Sequence, residues 1–119
     1  MARYVDGFVL PLPKKNLAAY RRLAKVASRV WKDHGALEYR ETVGEDLNPG
    51  VGRPFPKQLR TRRGETVVFA WILYRSRAHR DRVCAKVMKD PRLASMCHGP
   101  MPFDLKRMCF GGFEVIVEA

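Results

Sequence analysis

Asp6 is the residue whose position most clearly suggests chemistry in this 119-residue chain. It interrupts a run from Tyr4 to Leu12 that is otherwise apolar on both alternating faces, the pattern of a strand buried on both sides. A buried carboxylate is costly unless it is paired, and desolvation raises its pKa. Asp6 could therefore act as a general acid or base or anchor a substrate. The alternative is an internal ion pair with an arginine, such as Arg107 on the last strand.

His34 is the second candidate for acid–base chemistry. It stands beside Trp31 at the predicted end of a helix, where a neutral imidazole could serve as a base or a metal ligand. A histidine at a helix C terminus is also favoured by the helix dipole, which requires no chemistry. His79 is predicted to be solvated among charged neighbours, and His98 to lie in a loop. Because no cluster of residues has metal-ligand spacing, we predict neither a metal nor a cofactor.

Aromatic residues could wall a pocket for an apolar or planar ligand. The candidates are Trp31, Tyr39, Phe69 and Trp71, and the guanidinium of Arg107 could meet an anionic group or pin its own segment to the sheet. The same aromatic side chains would equally suit a core or a subunit contact.

Charge supports a different function. Lys and Arg number 23 against 12 acidic residues, which gives a net charge of +11. The bases concentrate in segments 53–63 and 75–92. Such a surface could bind nucleic acid or another polyanion, or it could simply be a solvated face. Neither a glycine-rich phosphate loop nor an RNA-binding aromatic signature accompanies the bases.

Composition limits the class of protein. With 46% hydrophobic residues the chain is too apolar to be disordered. We find no apolar run long enough to span a bilayer and no signal-peptide pattern, and the three cysteines lack CxxC spacing. We therefore expect residues 1–119 to form one cytoplasmic domain.

Six main segments of regular structure are predicted to position these residues. Periodicity and punctuation predict strands at 4–12, 36–42, 66–74 and 108–118 and helices at 16–34 and 76–89, with a further turn at 91–96. Pro11 and Pro13 are expected to end the first strand, Asn16 to cap the first helix and Gly35 to follow it. Segment 44–64 is expected to be a loop, and Gly111-Gly112 a bulge or a close backbone approach.

The β-α-β-β-α-β order predicts an α+β, ferredoxin-like fold with a four-stranded antiparallel sheet and helices on one face. The doubly apolar first and third strands should occupy the centre. The uncovered face would expose Phe8, Phe69, Trp71 or their alternates, a large apolar patch for a monomer. We therefore predict a homodimer that pairs through its sheet faces.

Several strings resemble the YbaA-like family of uncharacterised bacterial proteins. They are YVDGFV at 4–9, VWKDHGALEY at 30–39, ETVVFAW at 65–71, YRSRAHRD at 74–81, KVMKDPR at 86–92 and MPFDLKRM at 101–108. The resemblance spans nearly the whole chain and implies membership of the dimeric α/β barrel superfamily. That superfamily includes haem-dependent and cofactor-free monooxygenases, dehydratases and stress-related proteins, so a small oxygenase-like enzyme enters as an analogy. A haem would need an axial histidine beside a cavity, and His34 is the histidine whose place suits it.

The leading hypothesis is a homodimer that binds a small ligand between sheet and helices, as a binding protein or a minor enzyme. Its pocket would lie near Asp6, Trp31, His34, Tyr39 and Trp71. The alternatives are a polyanion-binding protein and a structural dimer without catalysis.

Overall fold

The chain forms four strands and four helices, and the computed structural model describes all residues, 1–119. Two short 3₁₀ turns precede α1 and β4. The elements are β1 (Tyr4–Pro13), α1 (Leu17–Asp33), β2 (Glu38–Val43), α2 (Phe55–Leu59), β3 (Glu65–Tyr74), α3 (Arg77–Met88), α4 (Pro91–Met96) and β4 (Cys109–Glu114).

The strands form one antiparallel sheet in the order β2-β3-β1-β4. The two strands with apolar residues on both faces, β1 and β3, therefore lie in the centre, as the sequence predicts. Asp6 pairs with Ile72 on one side and with Gly112 on the other, which places its carboxyl in the middle of the sheet. The ferredoxin-like arrangement is confirmed.

The first strand continues through the two prolines that were expected to end it. Pro11 pairs with Val67 and Pro13 with Glu65. The pairing of β1 with β4 extends only from Tyr4 to Val9, so beyond Val9 one side of β1 has no strand neighbour. A proline on an edge needs no N–H for the ladder, which explains why both are accommodated.

Helices α1 and α3 cover one face of the sheet and form the core. The largest buried cluster joins Val30 of α1 and Val83 of α3 to Ile72 and Tyr74 of β3. Gly35, with a φ of 112°, follows α1 in the position predicted for it.

One local expectation is wrong, and another is decided between its two alternatives. Asn16 occupies the N-cap position of α1, but its side chain makes no capping bond and donates to the carbonyl of Pro102 at 2.8 Å. The register through Gly111 and Gly112 is regular, so there is no bulge. Gly112 is instead a close approach, since a Cβ there would overlap the side chain of Tyr4.

The uncovered face of the sheet is aromatic, as expected, but the residues on it differ from those predicted. Strand alternation places Phe69 and Trp71 of β3 and Phe113 of β4 there, with Phe69 43% and Phe113 62% exposed. Phe8 lies on the covered face, where its ring centroid is 4.8 Å from that of Phe110. The connection between β2 and β3 contains α2. The ring centroid of Phe55 in α2 lies 6.3 Å from that of Phe69, at one end of this face. No helix in the protein combines the length and the apolar character that crossing a membrane requires.

Candidate ligand-binding site

Glu41 is held by a tyrosine at each of its carboxyl oxygens. Tyr20 of α1 donates its hydroxyl to Oε1 at 2.7 Å, and Tyr39 of β2 donates to Oε2 at 2.7 Å. Tyr39 and Glu41 share the helix-facing side of β2 because side chains two residues apart on a strand point the same way. The two bonds thus fix one carboxyl in the space between α1 and the sheet.

An apolar cavity of about 170 Å³ adjoins this carboxyl. Of its 16 lining residues 15 are hydrophobic, and Glu41 is the exception. Strands β1 and β3 form its floor, α1 forms one wall, and α4 with the segment after it forms another, which includes the exposed Cys97. The cavity therefore offers a small apolar molecule one polar group to bind.

A second hollow of about 260 Å³ lies on the other side of the same tyrosines. It shares Tyr20, Tyr39 and Glu41 with the apolar cavity and adds the basic side chains of Arg21 and Lys25. The tyrosine-bound carboxyl therefore borders both hollows, and only the second has basic side chains in its lining.

Burial dominates the acid–base properties of the three groups. It raises the pKa of the Glu41 carboxyl, against which the two tyrosine hydrogen bonds act. Burial and the adjacent carboxyl also raise the pKa values of Tyr20 and Tyr39. Both tyrosines consequently keep their protons and remain donors to Glu41.

The Glu41 carboxyl differs from the other sheltered acids in having no basic partner. Asp6, Glu38, Glu65 and Asp90 each form an ion pair with an arginine. The remaining acids that form none, apart from Glu41, are all exposed: Glu45, Asp46, Asp104 and Glu114. Glu41 is thus the one partly buried carboxyl that lacks a countercharge.

Two of the aromatic residues proposed from the sequence meet at this cavity. Trp31 and Tyr39 both line it, with their ring centroids 6.1 Å apart. The indole N–H of Trp31 donates to the Tyr74 hydroxyl at 3.1 Å, which fixes the indole ring against the core. Trp71 lies on the opposite, uncovered face, where its indole N–H donates to Glu38 at 3.2 Å. It therefore does not share a pocket with the other two.

Asp6 lies outside the cavity lining and is engaged by α3. Its carboxyl is 2% exposed, and its Oδ1 is 3.4 Å from Nη1 of Arg80. An arginine does pair with Asp6, but it is Arg80 and not the expected Arg107. Arg107 lies in the turn before β4, where its guanidinium donates to both carboxyl oxygens of Glu65 at 2.7 and 2.9 Å. That bidentate pair holds the pKa of Glu65 below its usual range.

His79 is placed differently from the expectation, whereas His34 ends α1 and His98 lies in a loop, as predicted. His34 contacts Asp90 at 2.8 Å through Nε2 and does not line the cavity, so it is not placed to ligate a group held there. His79 was expected to be solvated but is 4% exposed. Its Nδ1 accepts from the backbone N–H of Arg75 at 3.0 Å, and burial with nearby cations lowers its pKa. It lies on the covered side of α3, one turn before Val83.

Some basic side chains of the two segments form ion pairs, and others are exposed to solvent. Arg80 and Arg92, in segment 75–92, pair with acids of the same protein. The five bases of segment 53–63 are all exposed. Polyanion binding stays a prediction, for which steep weakening by salt would be the signature.

Sequence reasoning missed Glu41 and Tyr20. A signal for Glu41 was present, because it continues the same strand face as Tyr39 and is an acid on the side that faces the helix. Tyr20 belongs to the apolar stripe of α1, and nothing in the sequence distinguishes it from a core residue.

The architecture defines a ferredoxin-like α+β protein. It is similar to two solved structures described as dimeric ferredoxin-like proteins from an uncultured marine organism. One has a TM-score of 0.58 and 14% identity, with 100% of both chains covered. The other has a TM-score of 0.56 and 10% identity, with 100% of this chain and 92% of that one covered.

The chain belongs to the family described as protein of unknown function (DUF1428), whose profile matches residues 3–105. It is 40% identical over 116 residues to the uncharacterized protein YbaA of Escherichia coli strain K12, with 98% of each chain covered. The Shigella flexneri protein of the same name matches to the same extent. The family resemblance seen in the sequence is confirmed.

Proposed function

We propose that the protein binds a small, largely apolar molecule in the cavity beside Glu41. The observation that carries this proposal is a cavity of about 170 Å³ with a single carboxyl among 15 hydrophobic lining residues. A cavity of about 150 Å³ lined by apolar side chains is known to bind benzene, so the space fits a molecule of about one aromatic ring. The two tyrosines fix the carboxyl in advance, so binding would order few further groups.

The experiment is a thermal-unfolding titration with toluene, compared with a variant in which the cavity is filled. Ala24 lines both hollows, and Ala24→Leu would occupy this space. Ala18→Leu is the matched control, because Ala18 is exposed on the same helix. Toluene should raise the unfolding temperature of the wild type and of Ala18→Leu. At a toluene concentration of 100 times Kd the free energy of unfolding should increase by about 2.7 kcal/mol. The unfolding temperature of Ala24→Leu should not change. An unshifted wild type, or an equal shift in a folded Ala24→Leu, would overturn the proposal.

We further propose that the working unit is a homodimer paired through the uncovered sheet faces. The protein exposes 8303 Å², whereas a compact monomer of 13.7 kDa exposes about 6,600 Å². The excess is larger than the roughly 800 Å² that each partner contributes to a standard interface. The protein is also a slab, 39 × 38 × 20 Å, as expected of two layers that lack a third.

The composition of the uncovered face supports a second copy as its partner. Phe69, Trp71 and Phe113 form an aromatic centre, and Glu38 and Arg40, paired at 3.2 Å, form a polar margin beside them. An aromatic centre with a polar rim is typical of subunit interfaces. The similar solved structures described as dimeric have the same fold.

Light scattering during gel filtration tests the dimer. The wild type should have twice the 13.7 kDa mass of one chain. Phe69→Lys combined with Phe113→Lys should give a folded monomer, because two buried lysines would face one another across the interface. Val26→Lys, at a 40% exposed position on α1, is the control and should remain dimeric. A monomeric wild type at micromolar concentration would contradict the assembly.

A further inference from the structure

We propose that the ligand of the cavity is a small amine, bound as its ammonium ion by Glu41 with its apolar body against the aromatic wall. The inference rests on the proposed function and names the chemical class of the ligand. It depends on three features of the site: a carboxyl with free acceptor sites, the lack of an ion pair between that carboxyl and any basic side chain, and the aromatic rings around it.

The carboxyl requires a donor that the protein does not supply. Each oxygen of Glu41 accepts one hydrogen bond, from Tyr20 and from Tyr39, and no other protein group donates to it. An ionised carboxylate has about four acceptor sites, so further sites stay free beside the cavity. A ligand that meets this carboxyl must therefore donate a hydrogen bond.

Charge favours a cation over a neutral donor. Glu41 is the only partly buried acid without a basic partner, in a protein whose net charge is +11. A sheltered carboxylate without a countercharge is unfavourable, and a charged donor bonds to it more strongly than a neutral one. An ammonium group would supply both the hydrogen bond and the countercharge.

The cavity walls suit an organic cation. Aromatic rings from four elements or segments line it, among them Phe8, Trp31, Tyr39 and Phe103. The face of an aromatic ring attracts a cation that lies within about 6 Å of the ring centre. The other lining residues are aliphatic or sulfur-containing and would contact the apolar body of the ligand. At about 170 Å³ the cavity admits one ring with a short substituent.

Three probes of nearly equal shape separate the contributions: toluene, benzyl alcohol and benzylamine. Calorimetry at pH 7.5 should give the tightest binding for benzylamine, about tenfold or more tighter than for benzyl alcohol, because only the amine is charged. In Glu41→Gln the advantage of benzylamine should disappear, while toluene binding should be unchanged. Glu45→Gln, at an exposed acid shortly after β2, is the matched control and should keep the advantage.

The outcomes distinguish this inference from the proposed function. If toluene binds and benzylamine binds no more tightly than benzyl alcohol, the amine is wrong and the cavity remains a binding site. If none of the three binds the wild type, both proposals fail. If the amine preference persists in Glu41→Gln, Glu41 is not the group that recognises the amine. The comparison among ligands uses the wild type alone, so it does not depend on the stability of a variant.

Discussion

Arg80 of α3 reaches the carboxyl of Asp6 in the centre of the sheet, with 3.4 Å between Nη1 and Oδ1. The guanidinium also lies over the ring of Tyr4, 5.0 Å from its centroid. Desolvation raises the pKa of Asp6, and Arg80 opposes that rise. The pair therefore supplies the acid of this apolar strand with a countercharge from α3, although Oδ1 of Asp6 accepts no hydrogen bond.

Removing the positive partner should leave an unbalanced charge in the core. Arg80→Met keeps most of the side-chain volume but leaves Asp6, 2% exposed, without its cation. We expect a loss of about 3–5 kcal/mol of stability, measured by urea unfolding. The double variant Asp6→Asn/Arg80→Met should be less destabilised than Arg80→Met alone, because neither charge remains. The control is Arg82→Met, at an exposed position of the same helix, where little change is expected.

This interpretation of the pair fails if Arg80→Met and Arg82→Met lose similar stability. It also fails if the double variant is the least stable of the three, since the two changes would then act independently of any shared charge.

The Glu41 carboxyl should contribute a pH dependence of defined sign. Its pKa in the folded protein is raised above the ordinary value of 4.5, so the folded state binds the proton more tightly than the unfolded chain does. The stabilisation that this carboxyl contributes is therefore fully present below pH 4.5, and it is lost as the pH rises through the raised pKa. The groups that face it are the protonated Tyr20 and Tyr39, with Arg21 and Lys25 in the adjoining hollow.

The measurement is urea unfolding of the wild type and Glu41→Gln from pH 4 to pH 8. The wild type should lose stability relative to Glu41→Gln as the pH rises. Subtraction removes the contribution of Asp6, whose pKa is also raised and which both proteins retain. If the difference in free energy of unfolding between the two proteins is constant with pH, or if the wild type becomes more stable relative to Glu41→Gln, Glu41 is not desolvated.

A side chain at Gly112 should destabilise the protein more than one at its neighbour Gly111. A Cβ on Gly112 would overlap the side chain of Tyr4, and the Arg80 guanidinium lies over the same ring. A Cβ on Gly111 would lie 3.6 Å from Phe113, an ordinary contact. We expect Gly112→Ala to lose about 1–3 kcal/mol by overpacking and Gly111→Ala to lose much less, as measured by urea unfolding. Equal losses would point to a general sensitivity of β4 rather than to the Tyr4 contact.

Much of the fold could be predicted because it depends on local patterns. Apolar residues on both faces identified β1 and β3 as central strands, and the three- and four-residue periodicity of α1 identified the helix that covers them. The continuation of β1 through Pro11 and Pro13 could not be predicted, because it depends on where β4 stops pairing. Phe8 was placed on the wrong face because a doubly apolar strand does not reveal which face its helices cover.

The candidate site was harder to predict because it combines distant segments. Trp31 and Tyr39 were identified as aromatic candidates, but Glu41 was assigned to a half-exposed strand and given no role. Its burial results from the packing of α1 over β2, which no spacing within the strand reports. His79 was misjudged for a similar reason, since its charged sequence neighbours point to solvent while its own side chain faces the sheet.

The most direct test of the ligand-binding proposal is the detection of intermolecular nuclear Overhauser effects between toluene and the protein. Ala27, Ile72 and Leu93 carry methyl groups on three different walls of the cavity. We predict cross-peaks from the toluene ring to all three, and none to Val51, which is 83% exposed in the excursion between β2 and β3. Toluene signals confined to exposed methyl groups, with no cross-peak to Ala27 or Ile72, would contradict a ligand site between α1 and the sheet.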